Sequence, residues 1–367
     1  MSSTISSPQK RIAIVAPSLA GVLRDRANLI RALKDRGHAV LVIAASHLSG
    51  EVAALHHLGA EHRNFEPKPP GMSIFANRRV QQAIRDVIAA WQADTSIVSG
   101  AALASLAARA ARKAGVKQIV TIVSAEMGVG SDEERRLMVI AFRGAVKLSQ
   151  AVVYHNAEDA RVLTSMLKPK GQRAIVTPGD GVDLKEFTVA PMPSADVPLA
   201  FLMIANPDAR GAIEAYTEAA RSLTGKGLAV RCVLATDREA AQDTTLFTVD
   251  SIAFQGRAAD PAALLGTVHV VVHLSADDGS PAALKQALAA GRPVITLDVP
   301  GCREAVDERV NGCLVPPADL TALLAAMESF ISHRGLLPAE SRAARIKAER
   351  SFGASAVLAP VLAAIDG

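Results

Sequence analysis

The chain has 367 residues, of which 50% are hydrophobic and 21% are charged, and its net charge is +4 at pH 7. This balance is typical of a soluble globular protein with room for two domains of ordinary size. Aromatic residues make up only 3% of the chain and the basic residues form no dense tract, which argues against nucleic-acid binding.

The strands and helices predicted for the first half of the chain alternate, starting with a buried strand at residues 11–16 (RIAIVA). A loop at 17–21, an amphipathic helix at 23–36 and a strand at 39–45 follow. Further strands are predicted at 97–100, 118–123 and 151–154, and further helices at 101–115 and 132–149. Short links between alternating strands and helices indicate a parallel sheet with helices on both faces.

A loop-like segment at residues 177–198, rich in proline and with glycines near its start, is the best candidate for a domain boundary. A second alternating run follows, with strands at 199–204, 229–234 and 252–254 and helices at 211–223 and 261–265. The last predicted helices are at 320–332 and 340–365. The fold class is therefore α/β, with two doubly wound parallel-sheet domains in series.

The most informative segment is residues 278–295, DGSPAALKQALAAGRPVI. It follows an apolar run at 268–274, and a further buried strand is predicted at 293–297. Ser280 is predicted to cap a helix that starts at Pro281 and stops at Gly291. Because the start of such a helix presents bare N–H groups and a positive dipole end, the segment predicts a site for a phosphorylated small molecule. Ligands bind beyond the carboxyl ends of parallel strands, so we expect the site in a cleft between the two sheets.

Several stretches then establish a family resemblance. Residues 291–327 resemble the donor domain of family-4 retaining glycosyltransferases of the GT-B fold, of the type that builds polysaccharides and lipid-linked oligosaccharides, and residues 11–40, 156–163 and 178–187 resemble other parts of that family. The resemblance implies two Rossmann-like domains facing across a cleft. These are an acceptor-side domain at 1–185 and a nucleotide-sugar domain at 195–340, with a C-terminal helix at 341–367 packing back on the first domain.

The resemblance also implies the residues that bind the donor. The family has two glutamates eight positions apart, and here the two positions are Asp278, which would contact the donor sugar and take part in catalysis, and Gln286, which would bind the nucleotide ribose. Gly279, Ser280 and Pro281 form the donor loop between them.

An arginine and a lysine of the family grip the donor diphosphate, and their positions correspond to Asn206 and Arg210. Arg210 is accordingly assigned a catalytic role and Asn206 a donor-binding role. The family histidine of the first domain is missing, since the corresponding region ends in Ser99. Gly21, Arg26 and Glu126 are the residues that the resemblance places on the acceptor side of the cleft.

The chain is thus expected to transfer a sugar, with retention, from a nucleotide-sugar of the UDP type to a polysaccharide or polyprenyl-diphosphate-linked acceptor. No metal and no other cofactor is expected, because helix dipoles and basic side chains neutralise the leaving diphosphate. The departures at Asp278, Gln286, Asn206 and Ser99 leave a second hypothesis open, in which a degenerate paralogue acts as the partner or scaffold of an active transferase. A dinucleotide-dependent oxidoreductase is excluded, because residues 17–23 contain one glycine and not the three-glycine fingerprint.

The location of the protein is also constrained by the sequence. Three cysteines, Cys232, Cys302 and Cys313, have no metal-like spacing and indicate a reducing cytoplasm. No signal peptide is apparent and no apolar segment reaches the ~20 residues of a membrane span. Residues 1–180 carry 24 Lys and Arg against 14 Asp and Glu. This excess is either an ordinary solvated surface or a surface that faces a polyanion or the inner membrane as a peripheral protein. The oligomeric state is not predicted.

Overall fold

A computed structural model describes residues 9–46, 48–65, 74–123, 131–206, 209–236, 251–257, 260–275 and 279–366. The chain divides into two compact units. The first consists of Met1–Gly181 with Ala354–Gly367, and the second of Val182–Gly353. The two points at which the chain passes from one unit to the other lie next to each other, because Val182 N–H donates to the Phe352 carbonyl at 2.7 Å.

The first unit is built on a seven-stranded parallel sheet of order β3-β2-β1-β4-β5-β6-β7. Its central strands are almost completely buried because helices cover both faces. The strands are β1 Arg11–Ser18, β2 Ala39–Ala45, β3 Glu61–Asn64, β4 Thr95–Ser99, β5 Gln118–Val123, β6 Ala151–Tyr154 and β7 Arg173–Val176.

Two hydrophobic layers enclose this sheet. Helices α3, α4, α5 and α6 pack on one face, and α1, α2 and the C-terminal helix α13 contribute to the other. Lys10 Nζ holds the end of α13 by donating to the carbonyls of Ile365 and Asp366. The helices of this unit are α1 Leu19–Asp35, α2 Ser49–His57, α3 Ile74–Ala90, α4 Ala101–Lys113, α5 Asp132–Leu148, α6 Ala157–Leu167 and α13 Ala354–Asp366.

The second unit is built on a six-stranded parallel sheet of order β10-β9-β8-β11-β12-β13, with one hydrophobic cluster around it. Its strands are β8 Leu199–Ala205, β9 Val230–Thr236, β10 Ile252–Arg257, β11 Val270–His273, β12 Val294–Leu297 and β13 Gly312–Val315. Its helices are α7 Arg210–Gly225, α8 Pro261–Gly266, α9 Ala282–Ala289, α10 Pro300–Arg303, α11 Leu320–Ser332 and α12 Leu337–Ser351.

Some of the predicted elements differ from the structure. The loop predicted at 17–21 is wrong, because β1 extends to Ser18 and α1 begins at Leu19 with the Ser18 side chain as its cap. The single last helix is interrupted at Phe352 and Gly353, and a Cβ at Gly353 would lie 3.1 Å from Leu184 Cδ1. Only the part from Ala354 onward belongs to the first unit, whereas a helix over all of 341–367 was predicted to pack back on that unit.

Among the described residues, no helix is both long enough and apolar enough to cross a bilayer.

Candidate functional site

Each sheet has one point at which the strand order reverses direction. In the first unit it lies between β1 and β4, and in the second between β8 and β11. Loops that leave two such strands diverge to opposite faces of the sheet and open a crevice beyond the carboxyl ends, which is where ligands bind in this architecture. The predicted donor loops follow β8 and β11, so the structure brings them to the reversal point of the second sheet.

The loop after β8 carries Asn206 and Arg210. Asn206 is exposed, and its carbonyl accepts a hydrogen bond from Ala209 N–H at 2.9 Å. Arg210 is exposed and is the first residue of α7. The α7 N-cap, Ala209, provides no side-chain cap, and the first turn contains no acidic residue. A cationic guanidinium and the first backbone amides of α7 therefore share this helix start, an arrangement that favours an anion.

The loop after β11 contains Gly279, Ser280 and Pro281, all of which are buried. The predicted helix start is wrong by one residue, because Pro281, and not Ser280, occupies the N-cap position of α9. The Ser280 hydroxyl is instead 2.9 Å from the ammonium of Lys285, which also donates to the Ser280 carbonyl at 2.8 Å. Lys285 is 4% exposed, so a buried positive charge holds the backbone of this loop.

Gln286, the predicted ribose ligand, is half-buried on α9, next to Lys285 and five residues after the N-cap. Gln286 thus lies on the short helix that directly follows the Gly279–Pro281 loop. Asp278 and Glu126 lie outside the described residues, and their assignments stay predictions.

In the first unit, the reversal point brings the ends of β1 and β4 close together. Gly100 has φ +80°, and a Cβ there would lie 2.4 Å from Pro17 Cγ, so only glycine fits this approach. Ser99, at the position of the family histidine, is buried. Gly21 was predicted to sit in a loop that faces the ligand; it lies in the first turn of α1, where its N–H donates to Ser18 Oγ at 3.2 Å.

Arg26 is 3% exposed and lies in an internal network. Its Nη1 is 2.8 Å from Asp180 Oδ1, and the second carboxylate oxygen of Asp180 accepts from Leu29 N–H at 3.3 Å. Its Nη2 lies 3.2 Å from His155 Nε2. Because a guanidinium can only donate, this histidine nitrogen is the acceptor. The direct ligand contact predicted for Arg26 is not favoured by this burial, since the guanidinium is directed toward the loop after β7.

Two further buried histidines, His269 and His273, lie at β11. His269 precedes β11, at the edge opposite the donor loops, and its Nδ1 accepts from Ala200 N–H at 3.0 Å. Burial, with Arg334 and Arg292 nearby, lowers the pKa of His269 to about 4, so the ring is neutral at pH 7. His273 is buried at the end of the strand. Within the described ranges, no group of three or more His, Cys, Asp or Glu side chains could hold a metal ion.

Three residues at these sites were not identified from the sequence: Lys285, Asp180 and His155. Asp180 is separated from Arg26 by 154 residues, and no local pattern reports such a pairing. Helical periodicity places Lys285 on the buried face of α9. A charged residue at a position expected to be apolar is therefore the signal by which the sequence could have identified it.

Comparison with known families agrees with this architecture. Residues 20–179 match the model described as a glycosyl transferase 4-like domain, and residues 200–333 match the model described as glycosyl transferases group 1. Together the two matches span most of the chain, and each falls within one unit. No curated protein sequence matches the chain.

Solved structures with the same architecture cover nearly the whole chain. HepE of Anabaena, in complex with UDP and glucose, has a TM-score of 0.77 at 14% identity over 98% of this chain and 100% of its own. A glycosyltransferase from Rickettsia africae has a TM-score of 0.74 at 17% identity over 97% of each chain. Sucrose-phosphate synthase from Thermosynechococcus elongatus has a TM-score of 0.74 at 14% identity over 97% of this chain and 98% of its own.

Two parallel α/β sheets in series, with these structural neighbours, define the fold as GT-B. The family matches define the protein class more narrowly. The chain belongs to the group 1 glycosyltransferases.

Proposed function

We propose that the protein is a retaining glycosyltransferase that moves a sugar from a UDP-sugar to a polysaccharide or a polyprenyl-diphosphate-linked acceptor. The observation that carries the proposal is the reversal point of the second sheet, where the loop of Asn206 and Arg210 and the loop of Gly279–Pro281 follow neighbouring strands. In a group 1 glycosyltransferase this is a suitable position for the donor. HepE, of the same fold, was solved with UDP and with UDP-glucose.

The cleavage of the donor is explained by the charges around its diphosphate. When the sugar–phosphate bond breaks, negative charge develops on the diphosphate. Arg210 and the start of α7 stabilise that charge, as does the start of α9 behind Gly279–Pro281. Asp278 contacts the sugar and Gln286 the ribose. The acceptor hydroxyl attacks from the face that the diphosphate leaves, and a diphosphate oxygen takes its proton, so no protein side chain is assigned as the general base.

The second candidate function is that of a non-catalytic partner or scaffold of an active transferase. It is favoured by the combined departures from the family pattern at Asp278, Gln286, Asn206 and Ser99. Binding and turnover separate the two candidates, because a scaffold keeps the fold without selective donor binding.

Thermal stability in the presence of UDP, GDP, ADP and their sugar conjugates is the deciding experiment. A ligand at a hundred times its dissociation constant stabilises the folded state by about 2.7 kcal/mol. We expect UDP and one UDP-sugar to raise the melting temperature selectively, with calorimetry giving the affinity. No response to any nucleotide at millimolar concentration would overturn donor binding and favour the scaffold.

Arg210→Ala is expected to weaken UDP binding by about tenfold or more, because a charge-assisted contact with the diphosphate contributes about 1.5–3 kcal/mol. Calorimetric titration with UDP measures the change. Arg221→Ala is the matched control, since Arg221 is an exposed arginine on the same helix but three turns further from its start. Equal affinities for wild type and Arg210→Ala would remove Arg210 from the site.

Gln286→Glu is expected to raise donor affinity by about fivefold, because a carboxylate accepts stronger hydrogen bonds from the ribose hydroxyls than an amide does. Gln286→Met serves as the control, having a similar length but no oxygen acceptor, and it should lower the affinity. A neutral or harmful effect of the glutamate would argue for a site adapted to another ligand.

A further inference from the structure

The most exposed large hydrophobic side chains of the described residues belong to one helix. On α5, Ile140 is 65% exposed and Leu137 is 60% exposed. They lie three residues apart and therefore on the same side of the helix. Burial on the opposite side is complete, since Phe142 and Ala145 of the same helix are fully buried. The exposed pair is thus not part of the core of the first unit.

The orientation of α5 is fixed by close packing on α4. A Cβ at Gly144 would lie 2.6 Å from Ser105 Oγ, so the two helices approach through a glycine. The Ser105 hydroxyl donates to the Ala141 carbonyl across the contact. This packing directs Leu137 and Ile140 outward.

Basic side chains lie along the same side of α5 as the exposed pair. Arg136, Arg143 and Lys147 are exposed on α5, at helical spacings that place them on the same side as Ile140. Arg112 of α4 reaches the end of α5, where its Nη2 donates to the Leu148 carbonyl at 3.2 Å. Acidic residues of α5 are confined to its first turn, at 132–134, and α4 has none. We call the surface formed by Arg112, Arg136, Leu137, Ile140, Arg143 and Lys147 the basic face.

We propose that the basic face docks the protein on an anionic phospholipid surface, with Leu137 and Ile140 inserted among the lipid chains. Cationic side chains around exposed apolar ones match the charge and the apolar interior of such a surface, whereas a soluble polyanion offers nothing to Leu137 and Ile140. The excess of positive charge in residues 1–180 adds long-range attraction of the same sign. The inference deepens the proposed function, because it places the enzyme at the surface where a lipid-linked acceptor resides. In that respect alone it rests on the proposed function.

Co-sedimentation with phosphatidylcholine vesicles, with and without phosphatidylglycerol, tests the proposal on the full chain. Wild type should bind only the vesicles that contain phosphatidylglycerol, and less at high salt. The double variant Leu137→Ser/Ile140→Ser should lower the partition coefficient by about tenfold or more, because it removes the apolar side chains that insert among the lipid chains. Arg143→Glu/Lys147→Glu should lower it by about tenfold or more as well, since each basic residue near the surface contributes about fivefold. Thermal unfolding followed by the fluorescence of Trp91, which lies in the first unit, verifies that the variants fold.

Matched controls lie in the second unit. Ile346→Ser removes another exposed apolar side chain, and Arg342→Glu/Arg350→Glu reverses two exposed charges; neither should change vesicle binding. Absence of binding to anionic vesicles would overturn the proposal. Two other results would also overturn it. One is loss of binding in Arg143→Glu/Lys147→Glu with no effect of Leu137→Ser/Ile140→Ser, which would indicate a general polyanion surface. The other is self-association of the wild type that Leu137→Ser/Ile140→Ser abolishes. Because the assay contains no donor, its outcome is separate from that of nucleotide binding.

Discussion

Replacing Asp180 with alanine is expected to lower the free energy of unfolding of the first unit by about 3–5 kcal/mol. The substitution leaves the Arg26 guanidinium, whose side chain is 4% exposed, without the carboxylate that lies 2.8 Å away. It also removes the acceptor of Leu29 N–H within α1. A buried charge that loses its partner costs much more than the pair itself contributes, because the desolvation of the charge is no longer offset.

Urea unfolding followed by Trp91 fluorescence measures this effect where it occurs, since Trp91 is the only tryptophan and lies in the first unit. Asp35→Ala, at an exposed position of the same unit, is the control and should change stability by less than about 0.5 kcal/mol. In a double-mutant cycle of Arg26→Met, Asp180→Ala and the two combined, the double variant should be more stable than the sum of the single losses predicts by about 1–3 kcal/mol. Additive single effects would show that the pair is not coupled.

The ion pair also fixes a loop that leads from one unit to the other. Asp180 follows β7 and precedes Gly181, the last residue of the first unit in this part of the chain. The Gly181 carbonyl accepts from Asn28 Nδ2 at 3.3 Å, so a second contact from α1 holds the same loop. Arg26, which the family resemblance placed at a ligand, thus has a structural role that is sufficient to explain an arginine at this position.

The parts of the fold that could be predicted are those in which local sequence and tertiary burial agree. Strands Ala39–Ala45, Gln118–Val123 and Ala151–Tyr154 were predicted with their observed bounds, because strands covered on both faces are largely apolar runs. Edge strands give no such signal. Glu61–Asn64 (EHRN) and Arg173–Val176 (RAIV) are mostly exposed, and they pair with the sheet through backbone hydrogen bonds that do not depend on side-chain polarity.

Part of the candidate site could be predicted from local sequence. Gly279–Pro281 before α9 was identified from its strand–loop–helix pattern, whereas Arg210 at the start of α7 was assigned through the family resemblance. The error at Ser280 has a physical reason, since a seryl hydroxyl can serve either the helix amides or a nearby ammonium, and Lys285 is within reach. Which acceptor an ammonium selects depends on where packing places its side chain, and the sequence contains no local sign of that.

Lys285→Met is expected to lower kcat/KM for the donor by about tenfold to a hundredfold, provided that the loop it holds is the donor loop. Methionine keeps the length and the apolar stem of the side chain but removes the charge and both hydrogen bonds to Ser280. Hydrogen bonds from a charged donor contribute about 1.5–3 kcal/mol, which corresponds to this range of rate when the loop is no longer held in position. Ser280→Ala removes only the hydroxyl and should have a smaller effect of about 1 kcal/mol.

A role in positioning the loop predicts a pattern that general destabilisation does not. Lys285 lies in the second unit, so the unfolding transition reported by Trp91 should stay unchanged in Lys285→Met, whereas UDP affinity and donor KM should both change. Lys347→Met, which removes a half-buried lysine of the same unit that pairs with Asp307 at 2.8 Å, is the matched control and should leave UDP binding intact. If Lys285→Met binds UDP as tightly as wild type, the buried ammonium stabilises α9 alone, and the position of the Gly279–Pro281 backbone does not limit donor recognition.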